Sequence, residues 1–298
     1  MLKSIVVVTI AVAQLGPVED AYERYLDYMN VGSGIVSEAT AQVWGAPAAA
    51  GKPYLLMRAE SGHPALLRFV EAAPVEGYAP MKTHGWNATE LLVKDPDAMA
   101  ERLEDSPFEI VGPPADLWNA PNAPRAMQAI GPGNELLYLT RNGQFEIKTP
   151  VDRVFIMVLG GPSMAAFNDF YGDRLGLAVS EPQPFRIDVL SNALDLPDET
   201  VFPLSIATIS REFLIELDEY PEGATQLRPR ADGMLPPGVA MVGFAVASID
   251  AFDLDWRAAP AALPEVPYLG ATAAVAVGPA GEWLELIEMP AAEPPAAD

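Results

Sequence analysis

Apolar and polar residues alternate through the stretch AGEWLELIEMP, 280–290, so that Trp283, Glu285 and Ile287 face one side of a strand and Leu284 and Leu286 the other. A carboxylate therefore sits on an otherwise apolar face. The same arrangement returns in SREFLIELDEYP, 210–221, with Glu216 in the place of Glu285, and more weakly in GPGNELLYLT, 131–140. Internal repetition is the first expectation.

Read in order, the chain predicts a strand over 3–13 and a helix over 19–28 whose Tyr22, Tyr25 and Leu26 share one stripe. Strands are expected over 37–44, 54–60 and 65–72, punctuated by GAPAAAGKP and SGHP. A connection over 74–84 leads to a strand over 87–93 and a helix over 96–103 capped by Asp95. Strands over 108–111, 126–130 and 135–140 follow, with GPGN as the last hairpin. After Pro150 come a strand over 151–159, the turn GGPS, a helix over 164–171 broken by Gly172 and Gly176, and strands over 177–181, 187–190, 204–208 and 213–218. A linker rich in Pro, Gly and Arg, 220–237, precedes a strand over 239–247, a helix over 249–259 and strands over 271–277 and 283–288. The tail, 291–298, has no core-forming pattern and is expected to be mobile.

These elements fall into four modules, about 1–80, 85–147, 150–222 and 238–290. The expected class is α+β, with two tandem domains, 1–147 and 148–290, each a pair of βαβββ modules forming a curved, mostly antiparallel sheet. A parallel sheet would need a crossover helix after nearly every strand, whereas SGHP, GPGN and GPAG read as hairpins. GSG at 32–34 follows a helix and has the wrong context for a dinucleotide or phosphate loop.

Composition narrows the chemistry. With 298 residues, two domains of ordinary size are expected, and 41 acidic against 18 basic residues give a net charge of -23 that excludes nucleic acid and anionic membranes as partners. There is no cysteine, hence no disulfide and no thiolate nucleophile or ligand. His63 and His84 are the only imidazoles. Lys3, the apolar run 5–12 and the Ala11-x-Ala13 spacing resemble a short secretory signal, but the run is β-branched and leads into a helix, as a first sheet strand does; a cytoplasmic protein is expected. No stretch approaches the roughly 20 apolar residues that span a bilayer.

Glu216 and Glu285 form the sharpest candidate pair. Facing each other across one cup they would raise each other's proton affinity and supply acid and base without histidine; alternatively each is paired with a basic side chain such as Arg211. Glu90, inward-facing in GWNATELLVKD with Trp86 and Asn87 at its mouth, needs a partner or a ligand, and Arg58 or Arg68 is available for that role. His84 lies where a pocket rim is expected, while His63 sits in a Gly-His-Pro turn that favours a solvated ring. Tyr138 and Glu135 alternate with Leu137 on the strand after GPGN.

The segments NDFYGDRLGLAVS, 168–180, and VGPAGEWLELIE, 277–288, resemble the helix end and the terminal ligand strand of the vicinal oxygen chelate superfamily, which includes glyoxalase I, extradiol dioxygenases and bleomycin-resistance proteins. The resemblance covers about 1–290 and implies two tandem glyoxalase-like domains, each closing a cup around a ligand, often with a divalent metal. It places the first-strand ligand near Val7, Ala88, Phe155 and Gly243, none of them a metal donor, and the last-strand ligand at Phe69, Leu137, Glu216 and Glu285. No resident metal and no cofactor are therefore expected.

The expected function is metal-independent lyase or isomerase action on a small apolar or aromatic carbonyl or carboxyl compound, by proton transfer through Glu216 or Glu285, with Glu90 and His84 as further candidates. Trp86, Arg58, Arg68, Tyr138, Phe155 and Trp283 are expected to line the pocket. The alternatives are a non-catalytic protein that binds or sequesters a small molecule, and a metal-dependent dioxygenase or glyoxalase-type enzyme. A homodimer is expected.

Overall fold

In the computed structural model, which describes residues 1–221 and 228–289, each module opens on a long strand covered on both faces. Such strands read as nearly continuous apolar runs because neither side meets water. The first module holds β1 (Ser4–Val12), α1 (Leu15–Tyr25), β2 (Tyr28–Ile35), α2 (Glu38–Val43), β3 (Pro53–Ala59) and β4 (Leu66–Glu71). The second holds β5 (Gly85–Val93), α3 (Pro96–Leu103), β6 (Glu109–Asp116), β7 (Arg125–Ile130) and β8 (Leu136–Arg141). In the third, β9 (Val151–Gly161) leads into α4 (Met164–Phe167), which continues as a π-helical stretch, Asn168–Arg174. The short β10 (Ala178–Val179) and β11 (Gln183–Phe185), α5 (Asp188–Ala193), β12 (Phe202–Thr208) and β13 (Leu214–Glu219) complete it. The fourth has β14 (Gly238–Val246), β15 (Ala261–Ala262), β16 (Thr272–Val277) and β17 (Trp283–Glu288). The tail 291–298 and part of the linker 220–237 lie outside the described residues.

The fold is α+β with two curved sheets, as the alternation predicts, but the modules pair differently from expectation. One sheet runs β15-β16-β17-β14-β1-β4-β3-β2 and the other β10-β12-β13-β9-β5-β8-β7-β6. The first module therefore shares a sheet with the fourth, and the second with the third; each half of the chain gives one module to each cup. In every module the first strand lies parallel to the last, as Thr9 beside Arg68 and Gly243 beside Glu285, which leaves one edge of the first strand free. These free edges meet antiparallel, β1 with β14 and β5 with β9. Hydrophobic alternation specifies which face of a strand is buried and is silent on which free edge it meets.

Three local expectations change. The stretch 37–44 is helical, because the Ser37 hydroxyl accepts from the Thr40 amide and starts α2. Asp188–Ala193 is likewise helix, where a strand over 187–190 was expected. The helix expected over 249–259 is a single 3-10 turn, Ile249–Ala251, after which Trp256 bridges to Ala276. Edge strand β2, with Gly32 and Gly34 and mostly solvent-facing residues, has the composition of a turn region and no periodic signal. No helix among the described residues is long and apolar enough to cross a membrane.

The faces turned away from the cups share one apolar core: Val8, Ile10 and Phe69 meet Leu91, Leu137, Met157, Leu217 and Leu284 under the helices. Each such side chain contributes about 1.5–3 kcal/mol when fully buried. Trp86 Nε1 donates to the Trp283 carbonyl at 2.8 Å and ties the two sheets together. The repeat is also visible in polar contacts. Tyr22 donates to Glu135 (2.9 Å) in the first half of the chain, and Tyr171 donates to Glu282 (2.8 Å) in the second.

Candidate functional site

The last strands of the four modules place Arg68, Tyr138, Glu216 and Glu285 at one equivalent position, in parallel register with Thr9, Glu90, Val158 and Gly243 on the first strands. This corrects Phe69 and Leu137, which point into the core between the sheets, one residue out of register with the cup-facing set. It also separates the expected acid–base pair. Glu285 belongs to the first cup and Glu216 to the second.

The first cup is closed around an ion pair. Arg68 Nη2 lies 3.0 Å from Glu285 Oε2, with both side chains buried. The other Glu285 oxygen accepts from Tyr268 (2.6 Å) and from Trp44 Nε1 (2.8 Å), while Arg68 donates to Thr9 Oγ1 through Nε (3.0 Å) and Nη2 (2.8 Å) and to the Tyr268 hydroxyl (2.7 Å). The guanidinium carbon sits 4.5 Å from the centre of the Trp44 ring. Gly243 leaves the room this needs, since a Cβ there would stand 3.1 Å from Glu285 Oε2 and 2.7 Å from Val7. Tyr268 and Glu285 hold Arg68 protonated against its burial. Every polar atom of Glu285 is satisfied internally.

The second cup is open. A cavity of about 430 Å³ is lined by Glu90, Gln128, Tyr138, Val111, Val189 and Glu216, among others, with Arg186, Asp188 and Asp116 at its rim. Glu90 and Glu216 flank β9, opposite Ile156 and Val158 respectively, and Asp218 follows Glu216 on the same face, opposite Gly160. Burial pushes the Glu90 carboxyl up to about 7, with the Thr140 hydroxyl pulling the other way. Burial, then Asp218, then Glu90 push Glu216 well above the usual range, and burial with Glu90 does the same to Asp218. Among the described residues no cation acts on any of the three. The Tyr138 hydroxyl and both Asp218 oxygens are buried without a hydrogen-bond partner among the described residues.

The remaining predicted residues lie elsewhere. Arg68 neutralises Glu285 rather than Glu90, and Arg58, on β3 of the first sheet, is absent from the cavity wall. Trp86 is fully buried in its bond to Trp283, and the Trp283 ring is covered by Arg257 at 3.7 Å. Phe155 packs edge-on against Phe145. His84, half-buried with its proton affinity lowered by burial, lines a separate cavity of about 160 Å³ with Arg228 and Glu282, roughly 20 Å along β5 from Glu90. Another cleft, of about 450 Å³, has Lys52, Glu76 and Arg230 as its charged side chains, none of them buried. Sequence reasoning missed Asp218, although it shares the alternation that marks Glu216. It also missed Trp44 and Tyr268, which no local pattern connects to Glu285.

The divalent metal implied by the fold does not fit these residues. In the first cup a guanidinium already supplies the positive charge beside Glu285. In the second, Glu90, Glu216, Asp218 and the Tyr138 phenol offer oxygens without an imidazole, and among the described residues no group of three or more His, Cys, Asp or Glu side chains is arranged to hold a metal ion.

No family model and no curated protein matches the chain. Solved structures do. Glyoxalase I from Zea mays superposes with a TM-score of 0.64 at 14% identity, over 95% of this chain and 92% of that one. A putative dioxygenase from Bacillus subtilis superposes with a TM-score of 0.61 at 13% identity, over 96% and 85%. The chain thus has the two-sheet fold seen in glyoxalase I.

Proposed function

We propose that the protein is an isomerase or lyase that moves a proton next to a carbonyl group in the second cup. The observation that carries this reading is the placement of Glu90, Glu216 and Tyr138 on the wall of one cavity whose one cation among the described residues, Arg186, stands exposed at the rim. Glu90, close to half-ionised at neutral pH, takes a proton from the carbon next to the carbonyl. Glu216, held protonated by burial and by its acidic neighbours, gives its proton to the carbonyl oxygen, and Tyr138 donates a hydrogen bond to the same oxygen. In an isomerase Glu90 returns its proton to another carbon of the conjugated enol while Glu216 takes back the hydroxyl proton; in a lyase the enol expels a group from the β-carbon, which leaves with the proton held by Glu90, and Glu216 again takes back the hydroxyl proton.

The test is hydrogen exchange. Cyclohexanone, benzylacetone and phenacylamine are incubated with the protein in deuterium oxide, and loss of the proton signals next to the carbonyl is followed by NMR. Exchange accelerated by the protein, and abolished in the Glu90→Gln variant, supports the reading. Exchange at the buffer rate for all three leaves a binding protein as the better description.

A further inference from the structure

The two cups solve the same electrostatic problem differently. At equivalent positions the first has Arg68 beside Glu285, and the second has Tyr138 with Glu90 and Glu216 nearby. In the first, the charge of a buried carboxylate is met by a guanidinium from the chain itself, 3.0 Å away and stacked on Trp44. In the second, the cavity-lining cation is Arg186, which is exposed at the rim and turned to Asp188 at 3.3 Å. An unpaired buried carboxylate is costly, and a cationic ligand removes that cost. The Tyr138 hydroxyl, buried and unpartnered on the cavity wall, is the second feature awaiting a ligand.

The cavity also continues. Val111, Val189 and Asn192 line both it and an adjoining cavity of about 400 Å³, whose other walls include Pro80, Ile110, Ile130, Leu136 and Ala193. One end of the combined space is acidic and the other mainly apolar, with Lys82, Glu109 and Asn134 also in its lining.

We propose that the second cup takes a cationic amphiphile, its protonated amine or guanidinium seated between Glu90, Glu216 and Tyr138 and its apolar chain running past Val111 and Val189 into the adjoining cavity. This rests on the functional reading only in using the same cup; it narrows the substrate to compounds that carry a positive charge and no carboxylate.

The experiment is calorimetric titration of the full chain with hexylamine, hexanol and hexanoate. Hexylamine is expected to bind at least tenfold more tightly than hexanol, and hexanoate more weakly than either. From butylamine to octylamine affinity rises about fourfold per methylene buried. Glu216→Gln lowers hexylamine affinity about tenfold and leaves hexanol unchanged, while Ala193→Phe, at a half-buried position of the apolar wall, removes the dependence on chain length. Hexanoate binding as tightly as hexylamine, hexylamine binding unaltered by Glu216→Gln, or no binding by any of the three overturns the proposal. Amine binding without carbonyl exchange leaves this proposal standing and removes the catalytic reading; exchange confined to the uncharged cyclohexanone and benzylacetone, with no amine binding, does the reverse.

Discussion

Tyr138 stands in the second cup where Arg68 stands in the first, each on the last strand of its module beside the residue that faces it from the first strand, Glu90 and Thr9 respectively. With Arg68 replaced by Tyr138 and Thr9 by Glu90, one cup is neutralised from within and the other is acidic. Both cups otherwise share their strand order and the parallel pairing of first with last strand.

Removing the internal cation is expected to be severe. Arg68→Met leaves Glu285 buried without its counter-charge and lowers unfolding free energy by about 3–5 kcal/mol, whereas Arg68→Met combined with Glu285→Leu recovers most of that loss. Urea unfolding of the three proteins measures this. A loss below about 1 kcal/mol in the single variant would reduce the pair to the level of an exposed salt bridge and refute the account.

Turnover separates the two glutamates that look alike in sequence. Glu90→Gln and Glu216→Gln are each expected to lower carbonyl exchange by a factor on the order of 10² or more. Glu285→Gln acts on the sealed cup, so thermal stability falls and the exchange rate per folded molecule stays. Were Glu285→Gln to abolish exchange at unchanged stability, the active cup would be the first.

Stability should respond to pH through Glu135. Its carboxyl, buried beneath Tyr22, is pushed by burial from 4.5 up to about 7, so the folded chain binds that proton more tightly than the unfolded one. Below the unfolded value both states are protonated and nothing is lost. As pH rises through about 7 the folded protein loses up to about 3 kcal/mol from this group. Glu135→Gln keeps an acceptor for Tyr22 and cannot ionise. Its melting temperature, equal to the parent's near pH 4, is expected to exceed it by several degrees at about pH 8. Parallel melting curves across that range would show the carboxyl to be unperturbed.

Elemental analysis of the purified protein is expected to find no stoichiometric iron, zinc or nickel, because neither cup offers the nitrogen donors these metals prefer. About one such metal per chain, with ligand binding lost on chelation, would contradict the donor analysis.

Much of the fold is legible in local pattern. Asp95 followed by Pro96 places α3 at Pro96–Leu103 as observed, and the alternation around Glu285 gives β17 at Trp283–Glu288. The equivalence of Glu216 and Glu285 is legible too, since both follow from one repeated strand motif. What local pattern cannot carry is the partner across space. The cup around Glu285 is completed by Trp44 at the end of a helix, by Tyr268 in a loop and by Arg68 from a distant module, and each of these reads as an unrelated local feature. The free edges of the four first strands are chemically alike, so the choice of β14 as neighbour to β1 rests on the whole assembly.

That choice sets an order of events at the ribosome. The acidic cup is built from consecutive modules and has all its strands once Glu219 has emerged. The other sheet has to wait for Glu288, with β1 holding an unpaired edge and Arg68 lacking its counter-charge while most of the chain is translated; the two partners of that ion pair are 217 positions apart. The Arg68–Glu285 contact therefore works as a clasp fastened last. Nascent chains halted before residue 238 should hold a finished acidic cup beside an open sheet edge, the form of this protein most in need of a chaperone.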